Sequence, residues 1–427
     1  MIVIVGGGPA GLYTAYQILK KNPYLYLTIL EKDQKWGGRT QMVRYAGHWV
    51  PGGAGVVRKQ DTLLKNICEK MEIPLNFPKK RNKKIRYQGF EKLCVESLIE
   101  KWKRFVRREW KDSYIIRSQT TFLDFLISHL HTDLEVFQFI SSVGYSDYLH
   151  ADVVDTLEDY GWKDVIEGPD ATIISPLNWN SLIHNLREHI LKFPNTQAIS
   201  QASVTKITKN DMGTWNVSYS YVSNGLVSSN VLKNVDKIVL AVTSVSLETI
   251  LKKSVFRGQG RFRKEVEDNL AMQPFLRVYA EVDEIDRKAT LSIPTLPKLP
   301  IYTKYPDNPL QKCFPMFDKV WMISYSDNES AERVNGMDSR QVKQWVETTV
   351  PGGVLHRKEK KVFYPHGTHY FKPMPRRWKG DRDAYLRYIQ NPVPGLYVVG
   401  EGFSRNQGWT EGALESVHKI LDKLYVG

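Results

Sequence analysis

A chain of 427 residues with 42% hydrophobic and 11% aromatic content is too long for one compact core and too apolar for disorder, so two or three globular parts are expected. Its 60 lysines and arginines outnumber 46 acids, giving a net charge of +14, which suits anionic ligands, nucleic acid or an anionic membrane without choosing among them. Only Cys68, Cys94 and Cys313 occur, an odd number without CxxC spacing, which argues against a disulfide framework and a zinc site and for a reducing compartment.

The opening residues MIVIVGGG are already a strand and a turn, which predicts no secretory leader. No run of about 18 apolar residues occurs, and a cytoplasmic location is the expectation. Ile2 to Val5 fits a buried parallel strand, and Gly6-Gly7-Gly8-Pro9-Ala10-Gly11 supplies GxGxxG directly after it. Leu12, Ala15, Ile18 and Leu19 then repeat at helical spacing. Gly6 would permit the tight turn, Gly8 would let the backbone approach a pyrophosphate at the helix N-terminus, and Gly11 would let helix and strand pack closely. The next strand, LYLTILE, ends in Glu31, 20 residues after Gly11 and followed by Lys32; an acid there accepts the adenosine ribose hydroxyl and disfavours a 2′-phosphate. A glycine turn in an ordinary βα unit would explain GxGxxG alone. Strand, helix and acid in register point instead to dinucleotide binding.

Gly37-Gly38-Arg39-Thr40 follows, and then GHWVPGGAGVV with Gly53, Ala54, Gly55 and Val56. The first group resembles the Gly-Gly-Arg segment of FAD proteins of the glutathione-reductase type, where glycines and arginine lie along the dinucleotide, and it favours FAD over NAD. Residues 62–195 lack glycine-rich chemistry and read mostly as helices, among them TFLDFLISHLHTDLEVFQFISSV. The basic stretches Lys79 to Arg86 and Lys101 to Lys111 leave room for a nucleic-acid or anionic-membrane contact; a solvated helix face with its aromatics packed inward is the favoured reading. Next come ASVTKIT, containing Val204, then KIVLAVT and AMQPFLRVYAEV, containing Arg277. Gly258 and Gly260 have Arg263 in the place of a third glycine, so no second nucleotide motif, and no NAD(P)H site, is expected. His366 and His369 have too few companions for a metal centre; they read as loop or cavity residues, with no metal expected. At the end, LYVVGE closes on Gly400-Glu401, and Gly408, Trp409, Thr410 and Ala413 begin a helix whose N-terminal amides can face a cofactor's polar edge.

Three separated segments, GGGPAG to GGRT with GGAG, ASVTKIT with KIVLAVT, and GEGFSRNQGWTEGALES, resemble the flavin-containing amine oxidase family, which includes monoamine, polyamine and L-amino-acid oxidases. The resemblance implies an α/β fold in which a Rossmann-like FAD-binding domain of the glutathione-reductase type is assembled from residues 1–61, 196–284 and 386–427. It implies an inserted α+β substrate domain made of a mostly helical part, 62–195, and a sheet, 285–385. It gives Val204 a backbone contact with the adenine, Glu401 the role of the closing acid and Trp409 that of the flavin-facing aromatic. The implied reaction oxidises the C–N bond of a small amine or amino acid, with molecular oxygen as acceptor and hydrogen peroxide as product; the cofactor carries the chemistry and the protein orients the substrate and excludes water.

Three departures from the family pattern matter. Many members carry a lysine near the flavin on the strand after the middle segment, where this chain has Arg277. Arginine keeps the charge but does not readily deprotonate, so its role would be electrostatic, toward reduced flavin, superoxide or a substrate carboxylate, with a structural salt bridge as the alternative. Members with covalent flavin have a cysteine after a glycine before the last strand, whereas Thr368 follows Gly367, so non-covalent FAD is expected. Amino-acid oxidases often have a carboxylate-binding arginine where this chain has Val56, with Arg58 two residues on. Two other functions share the FAD segments or the surface: a desaturase or isomerase like protoporphyrinogen oxidases and carotenoid desaturases, and a flavin-bound interaction protein with little turnover.

Overall fold

In the computed structural model the first strand, Ile2–Val5, is buried along its whole length, and its residues divide between two cores. Ile2 and Ile4 point into one with Leu12, Leu19 and Ile183, while Val3 and Val5 point into another with Trp215, Leu247 and Phe262. A strand covered on both faces must be apolar at every position, which is why this stretch reads as a continuous run. The structure describes residues 1–77, 120–129, 148–156, 174–223, 225–282, 319–349 and 358–425, with short pieces at 86–87, 303–304 and 312–317 and the single residues 132, 136 and 310.

The five-stranded sheet has the order Leu396–Val398, Lys237–Leu240, Ile2–Val5, Leu27–Leu30, Thr196–Ile199, and every pairing in it is parallel. Helices cover one face: Pro9–Lys21, Thr62–Lys70, Trp179–Leu191 and Thr410–His418 supply most of that core. The other face carries an antiparallel three-stranded sheet, Ala202–Lys209, Trp215–Ser223 and Leu226–Val235, and the helices Ser244–Lys253 and Gln259–Asn269.

A second, six-stranded sheet stands apart from the first, in the order Lys360–Phe371, Leu270–Glu281, Val320–Asp327, Lys312–Pro315, Thr303–Lys304, Arg86–Tyr87. Leu276, Val278 and Ala280 face a core with Ala331, Val334, Val342 and Val346 from the helices Asn328–Gly336 and Ser339–Thr349. The neighbouring residues on the long strand face the first sheet's loops: Tyr279 donates its hydroxyl to the Pro51 carbonyl at 2.6 Å, and a Cβ at Gly53 would stand 3.2 Å from the Phe275 ring. The alternation of a strand thus sends odd-numbered residues of 275–279 toward the glycine-rich loops.

Two boundaries differ from the sequence reading. The strand Leu270–Glu281 falls in the stretch 196–284 read as FAD-binding, yet it pairs on both edges with the second sheet. Helices Thr62–Lys70 and Trp179–Leu191, read with the substrate insertion, pack into the core of the parallel sheet. The described part of 62–195 also holds strands, Ile174–Pro176 pairing antiparallel with Val56–Arg58. The basic stretch Lys101–Lys111 and all of Lys79–Arg86 except Arg86 lie outside the described residues. No helix among the described residues is long and apolar enough to cross a membrane.

Candidate active site

The glycine loop sits at the carboxyl end of the central parallel strand, where ligands bind in such sheets. Gly6 has φ +108, and a Cβ there would meet the Ala241 carbonyl oxygen at 2.3 Å; at Gly11 it would meet the Gly6 carbonyl oxygen at 2.0 Å. Gly8 differs: nothing lies within 4 Å of its Cβ position, so the backbone that leads into the helix Pro9–Lys21 borders open space at Gly8, while Pro9 is half-buried and Ala10 packs into the helical core. Glu31 is 5% exposed and accepts the Gly7 amide at 2.6 Å and the Asp33 amide at 2.9 Å; burial raises its carboxyl above the ordinary range, and these amides oppose the rise. Gly37 donates its amide to the Gly7 carbonyl at 3.0 Å, which brings Gly38 beside Gly8. Lys32 is exposed. Ala202, two residues before Val204, donates to the Glu31 carbonyl at 2.8 Å, so the middle segment abuts the end of the acid-bearing strand.

Arg39, Glu401 and His369 form the most connected part of the site, although they lie far apart in the chain. Arg39 Nη1 donates to Glu401 Oε1 at 2.5 Å and to the Gly367 carbonyl at 2.6 Å, while the Arg39 carbonyl accepts the Ala54 amide at 3.1 Å. A Cβ on Gly53 would press to 2.0 Å from that same carbonyl. His369 Nδ1 stands 2.8 Å from Glu401 Oε1, and His369 Nε2 accepts the Ser244 amide at 3.0 Å. An imidazole nitrogen that accepts an N–H carries no proton, which assigns the proton to Nδ1, donating to Glu401. Burial works to raise the Glu401 carboxyl, but His369 and Arg39 outweigh it and hold it down at about 2. Among the described residues Glu401 Oε2 is buried with no hydrogen-bond partner. A buried anionic oxygen left unpaired costs free energy unless a donor reaches it, and a bound ligand's hydroxyl or N–H would fit there.

Gly55 and Val56 lead into the strand Val56–Arg58. Arg58, 2% exposed, is held by Asp61 through Nε at 2.8 Å and through its own amide at 2.7 Å. Its Nη2 reaches Asn406 at 3.2 Å, and its guanidinium lies over the Trp409 ring at 3.8 Å. Trp409 is the residue that precedes the helix Thr410–His418. Gly400 donates its amide to Ser416 Oγ of that helix at 2.9 Å, and Ala413 is buried in the helical layer. Glu411 accepts the amides of Leu63 and Leu64 at 2.8 Å each, which joins the closing helix to the start of Thr62–Lys70; burial pushes its carboxyl up to about 7.

Arg277 is 6% exposed. It lies opposite Tyr325 in the sheet and stacks on that ring at 3.4 Å and on Phe275 at 4.6 Å. The salt bridge left open by the sequence is not formed with any described residue. Arg277 and Trp409 thus rest on different partners, one under the second sheet and one against Arg58.

These residues fit an extended adenine dinucleotide such as FAD: an open helix N-terminus at Gly8, an acid at the end of the second strand, and an unpaired buried carboxylate oxygen at the closing strand. Sequence reasoning missed Ser244 and Glu411; it read His369 as a loop or cavity residue, whereas His369 lies buried in the strand Lys360–Phe371, and it noted Arg58 only as the arginine two residues after Val56. The alternation of Thr368 to Phe371 along the strand would have turned His369 inward, but its partners lie on other segments.

A family described as an NAD(P)-binding Rossmann-like domain matches residues 4–70. A protein called probable flavin-containing monoamine oxidase A, from Dictyostelium discoideum, is 31% identical over 97 residues; the match spans 21% of this chain and 21% of that relative. Among solved structures, wild-type putrescine oxidase bound to putrescine superposes with a TM-score of 0.72 at 12% identity, covering 99% of this chain and 98% of that one. A double mutant from the redesign of cofactor binding in the same enzyme gives 0.72 over 100% and 99% of the two chains. The chain therefore has the amine oxidase fold, with a Rossmann-like nucleotide-binding unit at its N-terminal end.

Proposed function

We propose that this protein is an FAD-dependent oxidase that acts on the C–N bond of a small amine with oxygen as acceptor, holds its flavin non-covalently and works in the cytoplasm. The observation that carries the reading is Glu401, a buried carboxylate held ionised by Arg39 and His369 with one oxygen unpaired, on the segment that closes the sheet opposite the glycine loop. Gly6, Gly8 and Gly11 shape a helix start that offers backbone N–H groups to a pyrophosphate, and Glu31 offers a ribose acceptor. When bound, FAD supplies the hydride acceptor. Thr368 after Gly367 offers no thiol for covalent attachment.

The protein's own contribution is orientation and charge. His369 has both ring nitrogens committed, so it positions Glu401 and is not a free base. Arginine is a fixed cation and a poor base, so Arg277 supplies positive charge at the site rather than proton transfer. Trp409, braced by Arg58, forms an apolar wall. Anaerobic mixing of the FAD-loaded protein with a panel of amines, polyamines and amino acids tests the reading. Bleaching of the flavin band by one class, with stoichiometric peroxide on readmitting air, is expected; a flavin that no member of the panel reduces would count against oxidase chemistry.

A further inference from the structure

The guanidinium of Arg277 is a buried charge whose needs the described residues do not meet. Of its five N–H donors, one finds an acceptor among the described residues, the Leu276 carbonyl at 3.2 Å from Nη1, and no described carboxylate comes within ion-pair distance. Aromatic faces stand where an acid would. Tyr325 lies at 3.4 Å and Phe275 at 4.6 Å, and Lys312, itself 2% exposed, lies 4.3 Å from the same Tyr325 ring. Two cations therefore share one ring. Such contacts soften the cost of desolvating a guanidinium but leave its donors unmade.

The direction of this face fixes what could meet it. Phe275 and Tyr279, the flanking odd residues, touch Gly53 and Pro51, so Arg277 faces the same glycine-rich loop. The Tyr364 ring packs at a tilt against Phe275, centroids 4.9 Å apart, and its hydroxyl would stand 3.3 Å from a Cβ on Gly52. Arg39 lies close enough to act on Tyr364 together with Arg277, and Arg39 already has Glu401. Among the described residues, the acid in this part of the site is thus spent on Arg39, and Arg277 has no carboxylate beside it. An unpaired guanidinium fork in an aromatic setting is a carboxylate receptor, and the positive surface of the chain favours delivery of an anion.

We propose that Arg277 binds a carboxylate on the entering substrate, so that the amine to be oxidised carries an acidic group. This deepens the oxidase reading and rests on it for the word substrate. The test compares carboxylates with matching neutral amides, acetate against acetamide through 3-phenylpropionate against its amide. Binding is followed by the flavin band of the FAD-loaded protein and by thermal shift of the cofactor-free protein. A parallel arm compares amino acids with their decarboxylated amines in anaerobic flavin reduction. In the wild type the carboxylate should bind at least tenfold tighter than its amide, and the amino acid should saturate at least tenfold lower than the amine. Arg277→Met should bring both ratios to about one, and Arg277→Lys should keep part of the preference. Equal binding of acid and amide by the wild type would overturn the proposal, as would a preference that persists in Arg277→Met. A protein reduced by amines without regard to a carboxylate would sink this inference alone. A protein that takes up no FAD would sink the oxidase reading, while the thermal-shift arm would still decide whether Arg277 is an anion site.

Discussion

Replacing Glu401 by glutamine removes one charge and leaves the shape, so it isolates the electrostatics at the centre of the site. Glu401 accepts Arg39 Nη1 at 2.5 Å, His369 Nδ1 at 2.8 Å and the His369 amide at 3.3 Å. A carboxyl lowered from 4.5 to about 2 contributes about 3 kcal/mol at neutral pH. Removing one member of a buried pair costs about 3–5 kcal/mol, and Arg39, with 26% of its side chain exposed, regains some hydration when released. A loss of about 2–3 kcal/mol in urea unfolding of the cofactor-free protein at pH 7 is the expected result. The sign with pH follows from the lowered value. The stabilisation is fully present above 4.5 and disappears as pH falls toward 2, so roughly half of the gap between variant and wild type should be gone by pH 3. A gap under about 0.5 kcal/mol that does not change with pH would refute the claim that Arg39 and His369 hold this carboxylate ionised.

Other substitutions separate fold from ligand binding. Gly8→Ala should leave unfolding free energy within about 0.5 kcal/mol, because nothing occupies the Cβ position, yet lower FAD retention at least tenfold on desalting; Gly6→Ala, at φ +108 and 2.3 Å from a carbonyl, should lower stability by more than about 2 kcal/mol. Equal effects on both readouts at Gly8 would remove the phosphate-cradle reading. Glu411, raised from 4.5 to about 7 by burial, is the opposite case to Glu401: its fold favours the protonated form, so stability is lost as pH rises from 4.5 through 7. Glu411→Gln should gain on wild type by on the order of 1–2 kcal/mol across that window, measured as the pH dependence of the unfolding midpoint; parallel curves would contradict it. Arg58→Leu leaves Asp61 buried without its partner and should cost about 3–5 kcal/mol, whereas the double variant Arg58→Leu/Asp61→Leu should recover at least half of that loss in a double-mutant cycle.

The geometry of the glycine-loop end of the site was legible because its constraints are local. Strand, glycine turn, helix and Glu31 follow one another within a single βα unit, and each constraint acts on neighbouring residues. The cluster around Glu401 was singled out only through a resemblance. Arg39, His369 and Glu401 meet across more than 300 residues of chain, and no periodicity in any one segment says that they touch. The strand Leu270–Glu281 shows the same limit. Its apolar run serves either sheet, and only its pairing with Val320–Asp327 and Lys360–Phe371 assigns it to the second. Arg277 was noticed because it stands where a lysine was expected, but the absence of an acid beside it among the described residues is a property of packing.

On this reading the glycine loop and Glu401 grip one FAD between them. The most direct measurement is the absorbance spectrum of the purified, FAD-reconstituted and desalted protein, followed by acid precipitation and analysis of the supernatant. Flavin bands near one equivalent per chain are expected, with all of the FAD released intact on precipitation. A colourless protein that retains no FAD after reconstitution would contradict it.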